Sequence, residues 1–279
     1  MEQPRLLKRI VIIFIAYVVI AYGAIVIIDF LNLFGSQAIM HAIQDTLNPK
    51  RFEVPLFWYF ISTQGSFTEN MQWAYLLIAT ITLFAASRTA SRQEEVLLSR
   101  GFKLWGAGLT LLFLEDTLNT RHWIRRGASA LLNLADNRSS AAAISVEIFI
   151  YALMGILMLY ALFRLRRLVF SHARITACVL IGYAAYGLAA AFSATRHAFG
   201  WYSRAGEALI ETFNLRSIDT WRIASEIIEM RSSTLGYYLM DYLVEETLEL
   251  LGAGMLAFAS VMLLYLIKRP NNKQTPAPH

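Results

Sequence analysis

The sequence predicts an all-α, polytopic membrane helix bundle of about six transmembrane helices, with amphipathic helices on its outer face. Three observations carry that reading. Hydrophobic residues make up 57% of the 279 residues and charged residues only 16%, whereas a soluble domain carries about a quarter charged residues. Mean hydropathy is +0.47. Six apolar stretches approach the roughly 20 residues needed to cross a hydrocarbon core, and basic residues gather beside their ends.

The first stretch, 10–28, is too long for the apolar region of a cleaved signal and lacks a small-residue cleavage site after it. It is expected to be a retained anchor. The second and third, 67–86 and 102–118, are separated by a short basic segment. The third is the shortest in apolar character, because Glu115 and Asp116 fall near its end. The fourth to sixth are 144–163, 175–192 and 243–267. Together they make one transmembrane domain over 1–268. The polar, Pro-rich end 269–279 is expected to be a disordered tail.

Orientation follows from charge. With the N-terminus inside, the inner segments hold fourteen of the 25 Lys and Arg and only three of the 20 acids, Glu2, Glu94 and Glu95. This bias places both termini in the cytoplasm of a bacterial inner membrane. The net charge of +5 and pI near 9.3 thus express topology and give no support to nucleic-acid binding. The single cysteine, Cys178, excludes an intramolecular disulfide and a Cys-based metal cluster.

Two outer segments are long. Segment 30–66 contains "NPKRFEVP", a turn-like break between apolar patches. In segment 198–240, Leu209, Phe213, Ile218, Trp221 and Ile228 recur at near-helical spacing among charges. This predicts helices packed on the outer face or lying in the interface, with a lid as the sharper alternative.

Polar groups from six segments reach one membrane level. Glu69 opens the second span. Glu115 and Asp116 lie in the outer half of the third, and Glu147 lies just inside the fourth. Ser193, Arg196 and His197 end the fifth. Asp241, Glu245, Glu246 and Glu249 open the sixth, and Asp29 closes the first. At about 100° per residue, Glu115, Asn119, His122 and Arg126 form one stripe, and Asp241, Glu245, Glu249 and Gly252 another. Small residues around "GAG" would let a neighbouring helix approach. Carboxylates at this depth are costly facing lipid, so they are expected to face the bundle interior.

The expected site is outward-facing. Glu69, Asp116, His122, His197, Glu245 and Glu249 would bind a divalent metal such as zinc, since two imidazoles with carboxylates suit that ion. A metal-bound water would attack a lipid or periplasmic ester or amide, with Glu115 or Glu246 as general base. Two other readings use the same residues. One is a transporter or channel component whose carboxylates take up H⁺ or a cation. The other is an assembly subunit whose acids pair with Arg121, Arg125, Arg126, Arg196 or His197. The partners expected are the bilayer and a lipid or small-molecule substrate.

The sequence contains no His-Glu-x-x-His, Gly-x-Ser-x-Gly or Walker A pattern. "QEEVLLSR" is similar to the Glu-Glu-x-x-x-Arg of membrane-embedded CAAX proteases, but Arg100 comes one place late and in an inner loop. "SATRH", Ser193 to His197, resembles the Ser-x-x-x-His of the alkaline ceramidase and adiponectin-receptor superfamily. That resemblance implies a zinc-dependent amidase, and the His-x-x-x-His of the superfamily's last helix is missing here. "TENMQWAYLLIAT", "LFLEDTLNTRHW" and "VEETLELLGAGML" are similar to segments of uncharacterised bacterial multi-pass inner-membrane proteins. Those carry Glu-x-x-Gln at a helix start, acidic pairs near a His, and Glu-Glu-x-x-Glu in a final helix. This resemblance implies a shared carboxylate site and no particular activity.

Overall fold

The computed structural model describes residues 5–47, 54–63, 65–118, 120, 123, 127 and 141–268. Every regular element among them is helical. Helix α1 (Arg5–Ile25) runs on through a π-helical turn (Val26–Phe30). Helices α2 (Ser36–Leu47) and α3 (Phe57–Ser62) follow. Then come α4 (Phe67–Arg92), α5 (Val96–Leu118), α6 (Ala141–Phe170) and α7 (Ala173–Thr195). Two short helices, α8 (Trp201–Thr212) and α9 (Asp219–Glu229), precede α10 (Leu235–Tyr238). A π-helical stretch (Leu239–Glu245) joins α10 to α11 (Glu246–Lys268).

Among the described residues, six segments are long and apolar enough to cross a membrane: Leu7–Phe30, Phe57–Arg92, Val96–Leu118, Ile148–Phe170, Ala173–Thr195 and Leu235–Lys268. The chain is a multi-pass helical membrane protein. Most of these helices outrun the apolar stretches that announce them. In α4 the apolar run stops at Ala86, yet the helix carries Arg88 and Arg92 onward to its cap at Gln93. Long cationic side chains can stay in a helix at the membrane edge because their heads reach water.

Helices α4, α5, α6, α7 and α11 pack in sequence around a closed ring, with α4–α11 and α4–α5 the most extensive contacts. Leu76, Leu83, Trp105, Leu109, Val179 and Leu256 are fully buried between them. Helix α1 lies against the outside of this ring and shows most of its surface to lipid. The small residues read from the sequence do bring helices together. A Cβ on Gly252 would lie 2.5 Å from the Tyr186 ring, and one on Gly254 would lie 2.4 Å from Phe14. Gly252 thus lets the Tyr186 ring of α7 lie flat against α11, and Gly254 seats Phe14 of α1.

The end of the bundle away from the termini carries a second core. Trp58, Trp221, Ile210, Leu215, Ile228 and Leu235 are buried there. Asp29 organises it. Its carboxylate accepts from the N–H groups of Phe57 at 2.8 Å and Trp58 at 2.7 Å. Those N–H groups begin α3 and have no intrahelical acceptor, so Asp29 caps α3 from a distance. The Trp221 indole donates to the Asp29 carbonyl at 2.8 Å. The segments expected to be amphipathic are helical, but not on one phase. Trp221 and Ile228 are buried, whereas Leu209 and Phe213 are exposed and Ile210 is buried in their place. The left-handed backbone at Asn214 (φ +50°) breaks the helix between them and resets its face.

Candidate functional site

Helix α4 begins with a relative of the capping box, in which Glu69 reaches the residue before the N-cap Ser66. The Ser66 hydroxyl accepts from the Glu69 N–H at 3.3 Å, and the Glu69 carboxylate reaches back to accept from the Gly65 N–H. This reciprocal pairing satisfies donors that the helix start leaves open. One turn further in, Gln72 is fully buried. Its position follows from the cap: three residues after Glu69, it faces the ring interior rather than lipid.

Gln72 joins three other helices. Its Nε2 donates to Asp116 Oδ2 of α5 at 2.5 Å and to Glu249 Oε2 of α11 at 2.8 Å. The Tyr186 hydroxyl of α7 lies 3.2 Å from the same nitrogen. Four of the five ring helices therefore meet at one amide. Glu246 stands within electrostatic reach of Glu249, Asp116, Glu69 and Glu245. Glu115, beside Asp116, is 5% exposed and within electrostatic reach of Tyr186. Among the described residues, Gln72 Oε1 and Glu246 Oε2 are enclosed without a hydrogen-bond partner.

A second polar group sits farther toward the distal end. Arg196 forms an ion pair with Asp241, the two side chains being 10% and 15% exposed, and it donates to Ser193 Oγ at 2.9 Å. Burial alone would lower the Arg196 pKa. Asp241 and Glu245 more than offset it and hold the guanidinium above its ordinary range. The Tyr202 hydroxyl donates to Glu245 Oε2 at 2.6 Å. Burial, then the adjacent Glu245 charge, pushes the Tyr202 phenol above its usual value. The His197 ring stacks on Tyr237 with centroids 6.1 Å apart, and Tyr237 in turn meets Tyr202 edge-on at 5.3 Å.

The eight residues singled out in the sequence thus divide. Glu69, Glu115, Asp116, Glu246 and Glu249 gather around Gln72. Glu245 and His197 belong to the Arg196–Asp241 group. His122, with Asn119, Arg121, Arg125 and Arg126, lies outside the described residues, as does the Glu147 side chain. Along the expected stripe, Asp241, Glu245 and Glu249 make different hydrogen bonds. Asp241 pairs with Arg196, Glu245 accepts from Tyr202 and adds to the field at Arg196, and Glu249 accepts from Gln72. The segment is not α-helical throughout, since 239–245 is a π-helix. Among the described residues, no three His, Cys, Asp or Glu side chains are placed to hold one metal ion.

Gln72, Tyr186 and Tyr202 were not singled out as site residues in the sequence. A signal for Gln72 was present in Glu69-x-x-Gln72, where an amide on the same helix face as the capping glutamate sits inside an apolar span. Nothing in the sequence marks Tyr186 and Tyr202 among the 13 tyrosines. Comparison of the chain with protein-family models, with curated proteins and with solved structures gives no match.

Proposed function

We propose that the protein is a proton- or cation-coupled membrane carrier or channel component, with uptake at the centre formed by Gln72, Asp116, Glu246 and Glu249. The observation that carries this reading is the single amide of Gln72 spanning two carboxylates inside the helix ring. Carboxylates at such spacing repel one another when all are ionised. Water is scarce at that depth, so a proton or a hard cation relieves the repulsion. The donors are carboxylate, amide and phenol oxygens, which suit H⁺, Na⁺, Mg²⁺ or Ca²⁺ better than zinc. A proton also needs no cage of three ligands.

A zinc-dependent hydrolase is the competing reading. It relies on His122 and His197 acting with the carboxylates, and His197 stands with Tyr237 instead. Both readings are tested on one preparation. Purified protein in weakly buffered detergent is exposed in turn to Na⁺, K⁺, Mg²⁺ and Ca²⁺, and released protons are counted. Uptake at this centre gives release by one of these ions, abolished in Glu249→Gln and Asp116→Asn and retained in His197→Ala. Release unchanged in both carboxylate variants contradicts the proposal. Stoichiometric zinc in the wild type, lost in His122→Ala, favours the hydrolase.

A further inference from the structure

At the end of the bundle that holds the termini, a cavity of about 490 Å³ opens between α4 and α11. Its walls change character along its length. Arg88, Thr89 and Arg92 of α4 and Lys268 of α11 line one end, and Ile81, Phe84 and Ala85 continue it toward the membrane interior. Arg88 and Arg92 are four residues apart, so they stack on one face of α4 about 6 Å apart in rise. Ile81 lies on the same side, about 10 Å deeper than Arg88 by the same rise. Lys268 is held there by the amide of Gln93, which donates to the Ile267 carbonyl at 2.9 Å. Among the described residues, no carboxylate lies within ion-pair distance of these three cations.

We propose that this cavity binds one anionic phospholipid of the adjacent leaflet, its phosphate held by Arg88, Arg92 and Lys268 and the start of one acyl chain lying along Ile81 and Phe84. Charge complementarity selects the headgroup. Two guanidiniums supply paired donors that match phosphate oxygens, and Lys268 adds a point charge. Depth selects a lipid over a soluble phosphate, because the apolar half of the groove faces the hydrocarbon, where Ile81 is 59% exposed. The volume falls in the range of about 300–1,000 Å³ typical of small-ligand sites, enough for a headgroup and its first methylenes. Basic pockets between transmembrane helices are a recurrent headgroup site. This inference is independent of the carboxylate centre.

The experiment is native mass spectrometry of the full chain released from bilayers of phosphatidylglycerol and phosphatidylcholine at equal proportion. One phosphatidylglycerol should remain bound per chain and phosphatidylcholine should not. Arg88→Gln combined with Arg92→Gln should weaken retention roughly 30-fold, at about a fivefold factor per cation. Ile81→Ser should weaken it less. The control Arg164→Gln with Arg167→Gln, near the same end but outside the cavity, should leave it unchanged. Equal loss in the control would mean diffuse surface charge and overturn the proposal. So would equal retention of phosphatidylcholine, or glycerol phosphate bound as tightly as the lipid, which would mark a soluble phosphate site. Ile81, Arg88, Arg92 and Arg167 are exposed and Arg164 is half-buried, and an unchanged melting temperature confirms that the variants fold.

Discussion

Gln72 has two amide hydrogens and faces two carboxylates and a phenol. Hydrogen bonds to charged acceptors contribute about 1.5–3 kcal/mol each. Gln72→Leu should therefore lower stability by about 3 kcal/mol, read as a drop in melting temperature of purified protein. Gln72→Glu should cost more near neutral pH, because it adds a negative charge to the group. It should regain part of the loss on acidification, when the new carboxyl can donate a hydrogen bond. A melting temperature unmoved by either change would show that Gln72 is not the joint between α4, α5 and α11. Gly252 matters at the same scale. Gly252→Ala would place a methyl against the Tyr186 ring, and overpacking of this kind costs about 1–3 kcal/mol. These two residues show what the sequence could and could not reveal. The small "GAG" set was legible because close helix approach needs small residues. The Gln72 bridge was not, because its partners are 44 and 177 positions away in the chain.

Among the elements, α11 and its π-helical lead-in show how geometry redistributes a sequence pattern. Asp241, Glu245 and Glu249 look like one stripe at four-residue spacing. In the fold Asp241 pairs with Arg196, Glu245 accepts from Tyr202 and Glu249 accepts from Gln72. The Arg196–Asp241 pair is largely shielded, its side chains 10% and 15% exposed, and removing one partner of a fully buried pair costs about 3–5 kcal/mol. Asp241→Asn should therefore destabilise by about 3 kcal/mol and leave the proton release described above in place, since Asp241 is not part of the Gln72 group. Loss of proton release without loss of stability would join the two polar groups into one functional unit. The outer elements were legible in kind but not in phase. Their amphipathic spacing announces helices, yet the break at Asn214 depends on backbone geometry that residue spacing does not encode. The role of Asp29 was hidden for the same reason as that of Gln72: its N–H donors belong to α3, a separate helix 28 and 29 positions away.

For the whole molecule, membrane character and the number of spans were legible from composition and the six apolar stretches, because the hydrocarbon core dictates both segment length and apolarity. Ring order was not, since six apolar helices can pack in many arrangements of similar hydrophobic burial. The charge distribution makes a further prediction at this scale. Reporter fusions after Arg92, Arg167 and Lys273 should read as cytoplasmic, and fusions near Lys50, Arg138 and Arg216 as external. An external signal at Arg167 would overturn the six-span orientation. With that orientation, the Gln72 centre lies in the outer half of the membrane, where a proton or cation can enter from outside.

On the proposed function, carboxylates gathered around Gln72 exchange a proton or cation within the ring. The most direct test is pH-difference infrared spectroscopy of the protein in lipid bilayers, following the carboxylic-acid C=O stretch. The account predicts a band shifted away from that of solvent-exposed carboxyls, reduced by Glu249→Gln and by Asp116→Asn and displaced by Gln72→Leu. Addition of the ion that releases protons should remove the same band. A difference spectrum that contains only solvent-exposed carboxyls, identical in the wild type and all three variants, would contradict it.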